Sequence, residues 1–150
     1  MMKSKKRKRS GFTLAEVVAV IVILGLLSGV ITPQIVKTIK KGRDVRRISD
    51  IDSLASALQA YYLDNAAYPT AAAWTYSTGA FLGDLTTGNY ITQTIEDPKN
   101  DATYKYAYKR DATGAIPFAV IGCKTFEQLS TMGGTVSSET LYYYKQLYER

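Results

Sequence analysis

Apolar residues follow three successive patterns along the chain. From Val17 to Val36 (VVAVIVILGLLSGVITPQIV) twenty residues pass without a charge, about the length a helix needs to cross a hydrocarbon core. After Lys37 the pattern turns amphipathic. Val45, Ile48, Ile51, Ala55, Leu58 and Tyr62 recur at steps of three and four, the stripe of a helix that lies on a core. Lys40 to Asp44 and Arg46 to Asp50 stand at i,i+4, each expected to support the helix by about 0.2–0.5 kcal/mol. Asp64-Asn65 followed by Tyr68-Pro69 reads as a stop, because a residue before proline is pushed toward extended geometry. One helix from Phe12 to about Asp64 is expected, ~80 Å long at 1.5 Å per residue. A coiled-coil stalk with residues 45–62 as its seam is the alternative, and the shortness of the repeat argues against it.

Beyond residue 70 the pattern is that of short strands. Residues 70–103 are rich in Thr, Ala, Gly and Ser and read as a loop-rich connection with a short helix near Phe81–Leu85. Thr103 to Lys109 alternates as strands do, Arg110 to Gly114 supplies a hairpin turn, and Ile116 to Cys123 is the partner strand. Pro117 belongs at its start or on an edge. Thr125 to Thr131 reads as a helical turn broken by Met132-Gly133-Gly134, and Leu141 to Tyr148 as a last strand in preference to a short helix. The fold class is therefore α+β: a long N-terminal helix, membrane-spanning in its first half, packed on a small antiparallel sheet.

Charge refines this picture. Lys3, Lys5, Lys6, Arg7, Lys8 and Arg9 crowd residues 1–11, which hold no acid, and the remaining thirteen cations face thirteen acids. The net charge of +6 thus belongs to a segment that looks like a targeting element and says little about nucleic acid. A cleaved secretory signal is the alternative, but no small-x-small cleavage site follows the apolar run. Lys37, Lys40, Lys41, Arg43, Arg46 and Arg47 lie beyond the span, so the positive-inside rule gives nearly a tie between the two ends. This basic group is expected to be a solvated collar, with anionic headgroups or nucleic acid as alternative ligands.

The chemistry available is narrow. The chain has no histidine and one cysteine, Cys123, which removes His-based triads and nearly every zinc site. The neighbours Phe118 to Gly122 favour a buried Cys123 over a reactive thiol. Asp97, Asn100, Asp101 and Asp111 offer oxygen ligands, but Ala102 and Tyr108 stand where an EF-hand needs Gly and Glu. No metal and no cofactor are expected. Twelve tyrosines suit strand surfaces and subunit contacts better than a dedicated ligand site. Glu16 is the residue that asks most for an explanation. A carboxylate at the edge of a bilayer core is costly unless paired, and no basic side chain lies within helical reach between Phe12 and Val36. A partner on another chain is expected, with snorkelling to the headgroups as the alternative.

Gly11-Phe12-Thr13-Leu14-Ala15-Glu16 after a basic leader, then an unbroken apolar run containing Gly25 and Pro33, resembles the type IV pilins and type II secretion pseudopilins. Tyr62 to Thr70 (YLDNAAYPT) is similar to a segment of the major pseudopilin, except that Ala66 stands where the class usually has Gly. Asn65 is therefore expected to carry the left-handed turn. The resemblance implies a pilin-like fold and four regions: a cleaved leader (1–11), a transmembrane and filament-core helix (12–36), its amphipathic continuation (37–65) and an extracytoplasmic globular domain (66–150).

It implies that a prepilin peptidase cuts between Gly11 and Phe12, that the new Phe12 amine is methylated, and that Glu16 forms an assembly salt bridge with the Phe12 amine of a neighbouring subunit. Such a contact is heterologous and open-ended, as a filament requires. Gly25 and Pro33 are implied as a helix kink, proline removing one backbone donor. The implied topology puts the leader in the cytoplasm and the C-terminal domain outside. The implied partners are the peptidase, the membrane, further copies and other pilins. An assembly ATPase and platform protein act indirectly, since this chain has no phosphate-binding loop.

The class often carries an acid-rich, Gly-rich calcium loop near its C-terminus, and its lack here tilts the expectation toward a subunit of a type IV pilus. A pseudopilin of a secretion or competence system is the alternative, and an unprocessed, membrane-anchored ligand-binding domain a further one. No spacing of residues supports an enzyme.

Overall fold

The computed structural model describes residues 11–77 and 81–149, without the side chains of residues 30 and 31. The expected leader lies outside the described residues except for Gly11. Two compact units divide the chain, Met1–Thr38 and Ile39–Arg150. The main helix, α1, is Leu14–Asn65, as the continuous apolar and amphipathic patterns predict. It is followed by β1 (Thr75–Tyr76), a short α2 (Gly83–Thr87), β2 (Tyr106–Asp111), β3 (Phe118–Cys123), β4 (Gly134–Val136), β5 (Glu139–Leu141) and β6 (Tyr143–Tyr148). The expected α+β class, a long helix with a small antiparallel sheet, is observed.

In the second unit, β1, β2, β3 and β6 form a four-stranded sheet in that order, every pair antiparallel, and β4 pairs with β5 in a separate hairpin. Alternation sorts the sheet's two faces. Tyr106, Tyr108, Ala119, Ile121 and Cys123 join Ile51, Leu54, Ala55 and Leu58 of α1 in one core. Their neighbours Ala107 and Val120 turn to the other face, where Leu141 and the ring of Trp74 cover them. Gly122 allows β6 to approach: an added Cβ there would stand 2.7 Å from the Tyr143 carbonyl oxygen and 2.8 Å from the Tyr144 Cβ. Cys123 is buried, as its neighbours predict.

Tyrosine hydroxyls fasten this core at its rim. Tyr106 donates to Asp50 at 2.7 Å, Tyr143 to Asp52 at 2.8 Å and Tyr90 to Asp64 at 2.8 Å. Tyr108 donates to the Pro69 carbonyl at 2.8 Å. A buried phenol keeps its stability only if the hydroxyl finds an acceptor, and acids on α1 supply three of these four.

Several expectations are corrected. Val45 is 53% exposed, so the buried stripe starts instead with Asp44 and Arg47, both charged and both fully buried. Asp44 pairs with Arg47 at i,i+3 rather than with Lys40, whereas Arg46 does approach Asp50, at 3.7 Å. The left-handed residue after α1 is Ala66, φ 53°, not Asn65. Asn65 remains helical and its side chain donates to the Tyr61 carbonyl at 2.9 Å. The geometry of a helix end demands a left-handed residue at this position whatever side chain occupies it. Residues 125–131 form no helical turn, because their backbone donors serve Asp44. The β4–β5 hairpin and β1 were not expected.

Candidate assembly segment and the ion-pair cluster of the domain

In the first unit α1 begins with a reciprocal cap. Thr13 Oγ1 accepts from the Glu16 N–H at 3.3 Å, while Glu16 Oε2 accepts from the Thr13 N–H at 2.8 Å and the Thr13 hydroxyl at 2.9 Å. Two backbone donors of the first turn are thereby satisfied, and the carboxylate lies at the positive end of the helix. Glu16 therefore has a partner in its own chain, contrary to the expectation of none. That partner is polar rather than basic, which is why a search for cations misses it. The Thr-x-x-Glu spacing at residues 13–16 is the signal that could have found it. Oε1 of Glu16 has no hydrogen-bond partner among the described residues.

Gly11 is exposed and Phe12 is 88% exposed. A Cβ added to Gly11, Gly25 or Gly29 meets nothing within 4 Å, so packing within the described residues does not call for glycine at any of these places. The helix is long and apolar enough to cross a membrane, and none of its most apolar window is buried. Hydroxyls inside it are satisfied locally. Ser28 donates to the Leu24 carbonyl at 2.8 Å, and Thr32 to the Ser28 carbonyl at 2.8 Å. Such back-bonding lets a polar side chain sit in lipid. Pro33 lies inside α1 and, lacking an N–H, leaves the Gly29 carbonyl without its helical donor.

In the second unit, a cluster of ion pairs joins α1 to two loops. The guanidinium of Arg47 donates to Asp97 at 2.6 and 2.9 Å, to Asp44 at 2.7 Å and to Glu127 at 3.3 Å, and lies 4.7 Å from the centre of the Tyr104 ring. Arg43 forks onto Glu127, Nε to Oε1 at 2.6 Å. Asp44 accepts three successive backbone N–H groups, from Glu127 at 2.8 Å, Gln128 at 2.7 Å and Leu129 at 3.0 Å. Burial alone would raise the Asp44 carboxyl, but these donors and Arg47 outweigh it and hold it below the usual carboxylate range. The Arg43 fork, against burial, holds Glu127 down to about 2. Burial opposes the Arg47 charge, yet Asp97, Asp44 and Glu127 together raise its pKa.

Of the oxygen ligands noted between Asp97 and Asp111, the three carboxylates are committed elsewhere, whereas Asn100 Oδ1 is buried without a hydrogen-bond partner among the described residues. Asp97 serves Arg47 and the Lys99 N–H, Asp101 caps the Thr103 and Tyr104 N–H groups, and Asp111 bonds Thr113. Among the described residues no group of three or more His, Cys, Asp or Glu is arranged to hold a metal ion.

Comparison with known proteins agrees with this division. Residues 6–32 match the prokaryotic N-terminal methylation motif, and residues 34–128 match the family described as type II secretion system (T2SS), protein G. The type II secretion system core protein G of Vibrio cholerae is 38% identical over 106 residues, covering 67% of this chain and 73% of that protein. Its counterpart in Aeromonas hydrophila is 47% identical over 66 residues, and that in Pseudomonas aeruginosa 41% over 66 residues. Each of these two matches covers 44% of this chain and 46% of the relative. No solved structure matches the chain. These relatives favour the secretion-system alternative over the pilus subunit first expected. The chain belongs to the type II secretion system protein G family, and most of its uncharged apolar run lies within the match to the methylation motif.

Proposed function

We propose that this protein is a pseudopilin of a type II secretion system, a structural rather than catalytic subunit that polymerises with pilin-like partners into a filament. It is held in the membrane by residues 12–36, with its N-terminus cytoplasmic and its domain outside. A prepilin peptidase cuts between Gly11 and Phe12, and the freed Phe12 amine is methylated. Glu16 then pairs with the Phe12 amine of a neighbouring subunit.

The observation that carries this reading is Glu16 at the head of an unburied apolar helix, its Oε2 bonded within the chain and its Oε1 without a partner among the described residues. An ammonium group from a neighbour would complete the carboxylate's coordination without breaking the cap. The glycine before the cut fits the same reading, since packing among the described residues gives it no role and an external enzyme would.

Intact mass and N-terminal peptides of protein recovered from producing-cell membranes test the processing step. A chain beginning at Phe12, with or without a methyl group, is expected; one that retains residues 1–11 beside an active peptidase refutes it. Gene deletion then separates the two filament kinds. Loss of a secretion pseudopilin leaves exported proteins in the periplasm, whereas loss of a pilus subunit removes fibres from the sheared surface fraction.

A further inference from the structure

Six cations follow the apolar run, and the structure divides them unequally. Arg47 is fully buried among Asp44, Asp97 and Glu127. Arg43 is bound to Glu127, and Arg46 leans on Asp50 at 3.7 Å. These three arginines are accounted for by the fold. Lys37, Lys40 and Lys41 are not: Lys37 and Lys41 are exposed, Lys40 is half-buried, and none has an acidic partner among the described residues. Lys37 is the first residue after the uncharged run that ends at Val36.

We propose that Lys37, Lys40 and Lys41 bind the headgroups of anionic phospholipids, so that the end of the membrane helix is surrounded by acidic lipid. The inference rests on the membrane anchoring proposed above. Lysine suits the task. Its apolar stem follows the helix through the acyl boundary while the ammonium reaches the phosphate layer. No pocket is required, because each ammonium acts on a headgroup separately. Residues that flank the end of a span lie at the depth of the phosphates, and a negatively charged leaflet attracts each such lysine by up to about fivefold in binding.

Charge complementarity also decides against the alternative ligand. Cleavage at Gly11 would leave thirteen cations against thirteen acids, so no net field draws in a polyanion such as DNA, whose non-specific binding depends on many phosphate contacts. Three unpaired lysines beside a bilayer need only local lipids.

The full chain and its Lys37→Gln/Lys40→Gln/Lys41→Gln variant are reconstituted into phosphatidylcholine vesicles carrying a trace of spin-labelled phosphatidylglycerol or spin-labelled phosphatidylcholine. Electron spin resonance gives the preference of the protein boundary for the acidic lipid. The basic leader contributes equally to both proteins, so the difference reads the three lysines alone. The wild type is expected to prefer phosphatidylglycerol, the variant to lose about threefold or more of that preference, and the Lys→Arg triple variant to keep it. The wild-type preference should also shrink as salt is raised. Equal preference in wild type and Gln variant overturns the proposal, as does lysine-dependent binding of a labelled DNA duplex in detergent with the lipid preference unchanged. Extraction of the wild type from vesicles by alkaline carbonate overturns the anchoring itself, and the lipid collar with it.

Discussion

Replacing Arg47 by Met tests whether the domain depends on its buried charges. Methionine fills much of the space of the arginine stem but returns none of the four hydrogen bonds to Asp97, Asp44 and Glu127. Truncating one partner of a buried ion pair ordinarily costs about 3–5 kcal/mol, because the remaining charge stays desolvated. The lower end applies here. Asp44 retains its three backbone donors, and Asp97 retains the Lys99 and Asn100 N–H groups at 2.8 and 3.3 Å, so neither carboxylate is left wholly bare. A loss of about 3 kcal/mol corresponds to roughly 12 °C in midpoint for a domain of this size.

The assay is urea and thermal unfolding of the full chain in detergent, followed by the emission of Trp74, whose indole N–H donates to the Ser137 carbonyl at 3.1 Å. Arg47→Lys should fall between wild type and Met, since a compact ammonium keeps the charge but not the fork. Adding Asp97→Asn to Arg47→Met should cost less than the two single changes summed, because the orphaned charge is gone. A loss below about 1 kcal/mol for Arg47→Met, the range of an exposed pair, would refute the reasoning.

Three further outcomes follow from the geometry. The Arg43 fork holds Glu127 down to about 2 in the fold against an ordinary 4.5, so its contribution to stability is complete above pH 4.5 and disappears as pH falls toward 2. Glu127→Gln should flatten the acid limb of the stability curve, and an unchanged limb would rule out this carboxylate as its source. Ala66→Gly should stabilise the domain by about 1 kcal/mol, since a left-handed Cβ is relieved; a lower urea midpoint would contradict the strain at that position. Burial pushes the Cys123 thiol up to about 12, so a thiol reagent at pH 8 should modify it only after unfolding, and prompt reaction of the native chain would show that the site opens.

Legibility from sequence followed the range of the interactions. The extent of α1 was readable because an uninterrupted apolar run and a 3.6-residue stripe both depend on local order. So were β3 and the middle of β2, whose alternating residues face different neighbours, although β2 starts at Tyr106 rather than Thr103 and runs on through Arg110 and Asp111 of the expected turn. What escaped depended on distant partners. Arg47 looked like surface because nothing nearby announces Asp97, fifty residues on. Thr125 to Thr131 looked helical because Asp44, eighty residues earlier, takes the donors a helix would use. The β4–β5 hairpin turns at Ser137 and Ser138, both left-handed at φ 46° and 71°, and serine is a poor advertisement for such a turn. The partner of Glu16 lies only three residues away, at Thr13, but carries no charge to mark it.

The polar ties between α1 and the rest of its domain have a mechanical consequence. Arg47, Asp50, Asp52 and Asp64 span about 26 Å of helix at 1.5 Å per residue, and each is tied to a different part of the sheet or its loops. Tension applied along the helix axis loads these ties in parallel, as shear, so none can yield before the others share the strain. A pull on the N-terminal end is thus delivered to the domain as a whole instead of peeling α1 away from it turn by turn.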